Sequence, residues 1–240
     1  MRVAVLSDIH ANIVALDAVL AAGGPVDAIW HLGDIVGYGP EPDAVVARLA
    51  EVGAIGVAGN HDLAAIGGSQ IEWFNPDARA AMEWTRARIS DRTRSWLAAL
   101  PTTRVIAGVS LVHGSPRDPV WEYVTSVPVA RANLALLATP LGLHGHTHLP
   151  KAWADRDGRI EAITPGPGST FQLNGQPALL NPGSVGQPRD GDPGACWLEI
   201  DTDAHLATWR RTTYDTALVA AAMLDAGLPS RLADRLRVGT

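Results

Sequence analysis

Val3-Ala4-Val5-Leu6-Ser7-Asp8-Ile9-His10 opens the chain with an apolar run that ends in a carboxylate and an imidazole. A short, uninterrupted apolar run of this kind reads as a strand buried on both faces. The pattern recurs. Gly33-Asp34 follows the apolar stretch 28–32, Gly59-Asn60-His61-Asp62 follows 54–58, His113-Gly114 follows 109–112, and Gly145-His146-Thr147-His148 comes just after 141–143. In open α/β sheets, ligand-binding groups gather beyond the carboxyl ends of strands, so positions far apart in sequence can converge there. A spacing of two puts Asp8 and His10 on one face of an extended backbone, and His146 and His148 likewise.

Helical patterns lie between these runs. Ile13, Leu16, Val19 and Leu20 recur at helical spacing behind Asn12 as N-cap, and Gly23-Gly24-Pro25 ends the helix. Residues 42–52 read as a second helix stopped by Gly53. The resulting β-α-β-α-β order predicts parallel strands. Residues 63–103 read as helical, with Asn75-Pro76 opening one helix and Pro101 closing the next. Another helix follows Pro128. In the second half, 152–154 and 160–163 flank Asp155-Arg156-Asp157-Gly158-Arg159, a hairpin signal. Residues 165–177 are rich in Gly, Pro and Ser and read as a surface loop. Residues 178–180, 196–200 and 206–210 read as strands. Asp215 caps a helix that runs to Gly227, and a short helix follows Pro229. There is neither an internal repeat nor a linker. The expectation is one domain over 1–240: two sheets face to face, helices outside, and C-terminal helices at about 215–238 packed on it.

Apolar residues make up 47% of the chain and charged residues 18%, which excludes a disordered polymer. The net charge of -6 gives no footprint for duplex nucleic acid. No apolar stretch is long enough to span a bilayer. Cys196 is the only cysteine, so no intrachain disulfide can form. Met1-Arg2 leads directly into the first strand, with no leader pattern. These features together suggest a cytoplasmic protein. Lys151 is the only lysine among many arginines, which reads as a compositional bias.

The polar clusters supply carboxylate oxygen, amide oxygen and imidazole nitrogen, but no thiolate. That excludes a structural zinc site built on cysteine and suits Mn, Fe, Zn, Co or Ni. Seven ligands with one shared carboxylate could hold two divalent ions about 3.5–4 Å apart, clamping an in-line displacement at phosphorus. A water bridging such ions would lose a proton near neutral pH and attack as hydroxide. His61 stands beside Asn60 as a spare histidine, placed to protonate the leaving oxygen. Asp62 either orients His61 or caps a helix.

Asp8-x-His10, Gly33-Asp34, Gly59-Asn60-His61-Asp62, His113 and Gly145-His146-x-His148, in that order, resemble the calcineurin-like metallophosphoesterases over about residues 2–200. Ser7-Asp8-Ile9-His10-Ala11-Asn12, Gly37-Tyr38-Gly39-Pro40 and Asn181-Pro182-Gly183-Ser184-Val185-Gly186-Gln187-Pro188-Arg189 are similar to a bacterial and archaeal branch of small phosphoesterases. That branch includes some asymmetric diadenosine-tetraphosphate hydrolases. The resemblance implies an α/β fold, a four-layer α-β-β-α sandwich of two mixed sheets flanked by helices. It also implies a division of ligands. Asp8, His10 and His148 would hold one ion, Asn60, His113 and His146 the other, and Asp34 would bridge them. His61 would contact the scissile phosphate. Protein phosphatases of the superfamily carry Asp-Arg-Gly after their Gly-Asp, where this chain has Gly37-Tyr38-Gly39, which argues against that activity.

The expected function is hydrolysis of a phosphodiester or phosphoanhydride bond in a small nucleotide-like substrate, by a monomer or homodimer with no membrane partner. The alternatives are a phosphomonoesterase, a nuclease acting on short single strands, and a non-catalytic scaffold on the same fold, like the retromer subunit that resembles this family. Asn12, Tyr38 and Arg189 are candidates for lining the substrate cleft. Trp73 and Phe74 could stack on a base, but packing of helices is the favoured reading for them, and a surface position for Arg117. His31, His144 and His205 read as ordinary core or turn residues, with His144 placed by parity behind His146.

Overall fold

In the computed structural model, which describes residues 1–68 and 71–240, strand β1 (Arg2–Leu6) alternates its side chains between two cores. Val3 and Val5 point to one and Ala4 and Leu6 to the other, which is why the strand is apolar throughout. β1 lies inside a six-stranded mixed sheet. Its order is β3 (Ile55–Gly56), β2 (Ala28–His31), β1, β11 (Ala195–Asp201), β12 (Leu206–Thr212) and β9 (Thr170–Gln172). The β1, β2 and β3 strands run parallel, as their helical crossovers require, and β11 returns antiparallel to β1. The second six-stranded sheet has the order β4 (Thr103–Ile106), β5 (Val109–Val112), β6 (Leu141–Leu143), β10 (Ala178–Pro182), β7 (Pro150–Arg156) and β8 (Arg159–Ile163).

The sheets stack through a core that includes Val3, Val5, Trp30, Leu32, Leu111, Leu143, Leu180, Leu198 and Trp209. Burying each large apolar side chain there contributes roughly 1.5–3 kcal/mol. Trp209 also donates its indole N–H to the Asn181 carbonyl at 2.8 Å, so its one polar atom is satisfied. The outer face of the first sheet is covered by helices α1 (Ile13–Gly23), α2 (Pro42–Glu51), α4 (Pro76–Arg88), α5 (Asp91–Ala98), α7 (Thr216–Asp225) and α8 (Ser230–Val238). Short helix α3 (Asn60–Ala65) packs among them. Helix α6 (Val127–Leu134) covers the outer face of the second sheet through Ala130, Leu134, Trp153, Ile160 and Leu179. The layers are therefore α, β, β, α. Among the described residues, no helix is long and apolar enough to cross a membrane.

Several boundaries differ from the sequence expectation. Residues 165–177 are not all loop, because Thr170–Gln172 forms edge strand β9 against Leu206–Thr208 of β12. β4 emerges at Thr103–Ile106 at the end of the stretch expected to be helical, pairing with β5 as the other sheet's edge. Within 63–103 the structure gives α3, a 3-10 turn at Ile71–Trp73, α4 and α5; positions 69 and 70 lie outside the described residues. α3 begins at Asn60 itself, so Asn60 and His61 sit on a helix's first turn. The expected hairpin is present: Asp157 and Gly158 both have positive φ, as a type I′ turn demands. Asn75 and Asp215 cap α4 and α7 as expected.

Candidate metal centre

The strand-end clusters meet beyond β1, β2, β3, β5 and β6. The loop after β1 is laced to the loop after β2: Asp8 N–H donates to Gly33 O at 3.1 Å, His10 N–H to Asp34 O at 2.9 Å and Ala11 N–H to Ile35 O at 2.8 Å. At Gly33, φ is +89° and an added Cβ would drive into the backbone of Gly59, so only glycine fits where the loops after β2 and β3 cross.

Here the backbone departs from the extended geometry expected of it. Asp8, His10, Asp34, His146 and His148 all have φ between 49° and 66°. Asp and His tolerate this left-handed region better than most residues, yet each such position costs roughly 1–3 kcal/mol. The side chains converge because the chain turns sharply at each of these positions, not because alternate residues of a strand share a face. Strain repeated at five polar positions in one locus is the pattern expected of a functional site.

All eight residues expected at the metal centre are buried and close together. His10 Nε2 lies 3.7 Å from Asp34 Oδ2, and His113 Nε2 lies 3.4 Å from the same oxygen. His148 Nε2 is 3.3 Å from Asp8 Oδ1. His113 Nε2 is 3.1 Å from Asn60 Oδ1 and 3.0 Å from His146 Nδ1. Ligand atoms of Asp8, His10, Asp34 and His148 form one group able to hold a metal ion, and those of Asp34, His113 and His146 form another. Asp34 belongs to both.

Three imidazoles are oriented from behind. His10 Nδ1 meets Val36 O at 3.2 Å, His113 Nδ1 meets Leu32 O at 2.8 Å, and His148 Nδ1 meets Gln187 O at 2.6 Å. A carbonyl only accepts, so each Nδ1 carries the hydrogen and each Nε2 presents a lone pair to the centre. Asp8 Oδ2 accepts from Ser7 Oγ at 2.7 Å and from the His146 N–H at 3.1 Å, while its Oδ1 is buried without a hydrogen-bond partner among the described residues. His146 Nε2 is likewise unpartnered. Facing lone pairs and a buried, unpaired carboxylate oxygen are costly unless a cation sits among them. The donor set therefore fits a divalent ion.

The proton affinities point the same way. Burial pushes the Asp8 carboxyl up, against the pull of His113. Burial would also raise Asp34, but His113, His61 and His10 hold it well below the usual carboxylate range. Burial opposes charge on His113, yet Asp34 and Asp8 outweigh it and raise that imidazole. His10, His146 and His148 are pushed well down by burial.

His61 is wedged between rings, 4.5 Å from Tyr38, 4.7 Å from Phe74 and 4.9 Å from His10, centroid to centroid. Burial pushes it down to about 4 despite Asp34. Its backbone N–H donates to Asp34 Oδ1 at 2.9 Å. Asp62 resolves as a cap: Oδ2 accepts from Gly59 N–H at 2.9 Å, and Oδ1 accepts from the N–H groups of Ile35 and Val36 at 2.8 and 3.1 Å. Its carboxylate ties the start of α3 to the Asp34 loop and leaves the His61 ring alone.

A cavity of about 160 Å³ opens onto the centre, lined by Asp34, Asn60, His61, His146 and His148 together with Tyr38, Arg189, Trp73, Phe74, Trp121 and Tyr123. Tyr38 and Arg189 both line this cavity, the guanidinium carbon 5.9 Å from the phenol ring. Asn12 does not. Its Oδ1 caps α1 through Ala15 N–H at 3.0 Å, and its Nδ2 donates to Gly186 O at 3.1 Å, so its polar atoms are spent on the loops behind the centre. Trp73 and Phe74 line the cavity instead of packing helices alone. Arg117 is an exposed partner of Glu122, as expected. His31 and His144 are buried in the core, and His205 lies in an exposed turn.

Trp121 and Tyr123 escaped the sequence reading because their loop has no periodicity. Tyr123 stacks on the His146 ring at 3.9 Å and 19°. Glu122 between them accepts from Ser115 Oγ at 2.6 Å and Asn133 Nδ2 at 2.7 Å, pinning the loop to α6. The polar trio of Ser115, Glu122 and Asn133 was the available signal.

With this geometry in hand, comparison with known proteins identifies the class. The model of the calcineurin-like phosphoesterase superfamily domain matches residues 1–203, and the chain belongs to that superfamily. It is similar to a metallophosphoesterase from Sphaerobacter thermophilus of known crystal structure, at 41% identity and a TM-score of 0.92, covering 100% of this chain and 99% of that one. An uncharacterized protein of Methanocaldococcus jannaschii is 32% identical over 99% of this chain and 98% of its own. A hypothetical protein from Pyrococcus horikoshii OT3 shares the fold at 20% identity, with a TM-score of 0.81 over 100% and 98% of the two chains.

Proposed function

We propose that the chain is a phosphoesterase that uses two divalent ions to hydrolyse a phosphodiester or phosphoanhydride bond in a small, nucleotide-like substrate. The observation that carries this reading is the double cluster sharing Asp34, with His61 beside it, its Nδ1 without a hydrogen-bond partner among the described residues. Asp8, His10 and His148 would hold one ion, Asn60, His113 and His146 the other, with Asp34 between them. Ions bound there would supply Lewis acidity at the phosphoryl oxygens and acidify a water.

The chain's own residues do the rest. The backbone carbonyls of Val36, Leu32 and Gln187 fix three rings in one tautomer. Arg189 offers a positive charge at the cavity, with no carboxylate within ion-pair distance among the described residues. His61 serves the leaving oxygen. Its ring is neutral at rest, and an anionic phosphoryl group arriving beside it opposes the effect of burial and raises its proton affinity. The ring lines the cavity, so it can take up that proton from solvent and pass it to the leaving oxygen. The whole chain acts as one catalytic unit, since α7 and α8 share the core that supports β1 and the Tyr38 loop.

A panel of phosphomonoesters, phosphodiesters and dinucleoside polyphosphates assayed with Mn, Co, Ni, Zn and Fe tests the reading. Turnover is expected on diesters or polyphosphates and is expected to collapse in Asp34→Asn. Activity on none of them, or an unaffected Asp34→Asn, overturns it. A monoester-only profile would favour the phosphomonoesterase reading.

A further inference from the structure

We infer that Trp73 and Tyr123 form a stacking subsite for a nucleobase carried by the substrate phosphate. The inference rests on the phosphoesterase reading and names the substrate group that the mouth of the cavity recognises. The cavity over the metal centre holds about 160 Å³, below the roughly 300–1,000 Å³ of pockets that enclose most of a ligand. A phosphoryl group fits inside, so the rest of the substrate must lie across the rim.

The rim is aromatic. Trp73 is 63% exposed and Tyr123 50% exposed, although both line the cavity. Large rings left that open beside a reaction centre are surface that a flat ligand would cover. Neither ring is loosely held. Trp73 packs edge-on against Trp121 at 5.1 Å, and Trp121 in turn meets Phe74 at 5.8 Å. Tyr123 keeps one face on His146, while the Glu122 network holds its loop. Two anchored rings bind a planar group with little loss of conformational entropy. Phe74, the neighbour of Trp73, touches His61, so this wall stands beside the group assigned to the leaving oxygen.

The chemistry that suits such a rim is a base. Stacking on an aromatic side chain is worth about 1–3 kcal/mol per base and tolerates any base. The rings offer π-faces and few hydrogen-bonding groups, so selection would be for a base over none and weak between bases. Arg189, at the same cavity, would meet the phosphate that the base carries.

Binding and rate test this together. Calorimetric titration of the wild type with AMP and with ribose 5-phosphate compares ligands that differ by the base. AMP is expected to bind at least tenfold more tightly. Trp73→Ala and Tyr123→Ala are each expected to shrink that ratio about 5- to 20-fold or to unity, in keeping with the stacking range, and Trp73→Phe to restore most of it. In parallel, kcat/KM for thymidine 5′-(p-nitrophenyl phosphate) over methyl p-nitrophenyl phosphate is expected to fall with the same variants, through KM. Equal binding of AMP and ribose 5-phosphate, or variants that weaken both ligands alike, overturns the inference. If the AMP preference holds while no phosphoester is cleaved, the subsite stands and the catalytic reading fails.

Discussion

His10 Nε2 and His148 Nε2 face each other at 3.1 Å, and each ring has its other nitrogen already committed to a backbone carbonyl. Two imidazoles so arranged present lone pairs to one another. The arrangement is stable when a cation, or a proton, sits among them, and Asp8 and Asp34 provide the negative charge that draws one in.

Metal removal should therefore loosen the fold. A site filled at a hundred times its dissociation constant adds about 2.7 kcal/mol, which for a chain of this size is roughly 5–10 °C in Tm. Melting curves with and without chelator, followed by re-addition of Mn, should show that drop and its reversal. Identical curves would mean that the lone pairs are not held by an ion.

His61 should matter most where the leaving group needs a proton. Loss of a positioned general acid costs typically 10²–10⁴-fold. His61→Ala is expected to lose that much kcat on a diester with an alkyl leaving group, and far less on a p-nitrophenyl diester, whose leaving anion is already stable. Metal content by elemental analysis should be unchanged. Equal losses on both substrates would contradict a proton-transfer role.

Asp62 should be a stability residue. It accepts three backbone N–H groups in a fully buried setting. Asp62→Ala strands them at a cost of roughly 3 kcal/mol, or about 6–12 °C in Tm. A thermal melt decides this, and an unshifted Tm with lost activity would restore the alternative in which Asp62 orients His61.

His31 should make stability depend on pH. It is fully buried against Trp96, and neither ring nitrogen has a hydrogen-bond partner among the described residues. Burial, helped by Arg104, pushes it down to about 3 from the ordinary 6.5. Between those values the unfolded chain binds a proton that the folded chain refuses. Stability is thus intact above pH 6.5 and falls as pH drops toward 3. At pH 5 the loss is about 2 kcal/mol. Urea unfolding at pH 7.5 and pH 5 should show His31→Leu losing less stability than the wild type by about that amount. Equal losses would mean that the buried imidazole is not what titrates.

How much of this was legible in the sequence depends on whether the information is local. Val3–Leu6 ending in Asp8 and His10 exposed both the strand and the candidate site, because a doubly buried strand is apolar throughout and its end is where polar groups emerge. The order of the clusters supplied the family. What stayed hidden was set by distant partners. Thr170–Gln172 becomes a strand only because Leu206–Thr208 lies beside it, and nothing in a Gly/Pro/Ser-rich stretch announces that. The left-handed backbone at Asp8 and His10 inverts the parity argument, since alternation of faces holds for extended chain alone. Asn12 fits a helix cap and a cleft residue equally well until Ala15 and Gly186 claim its atoms. Trp121 and Tyr123 reach the cavity through Glu122, Ser115 and Asn133, a network assembled from a loop and a helix.

The proposed phosphoesterase centre depends on two ions that share Asp34. The most direct measurement is hydrolysis of bis(p-nitrophenyl) phosphate by metal-stripped protein titrated with Mn. No turnover is expected at the start, followed by a rise that levels off near two equivalents per chain, with Asp34→Asn silent throughout. Turnover by the stripped protein, a plateau at one equivalent, or no hydrolysis with Mn or any other divalent ion would contradict it.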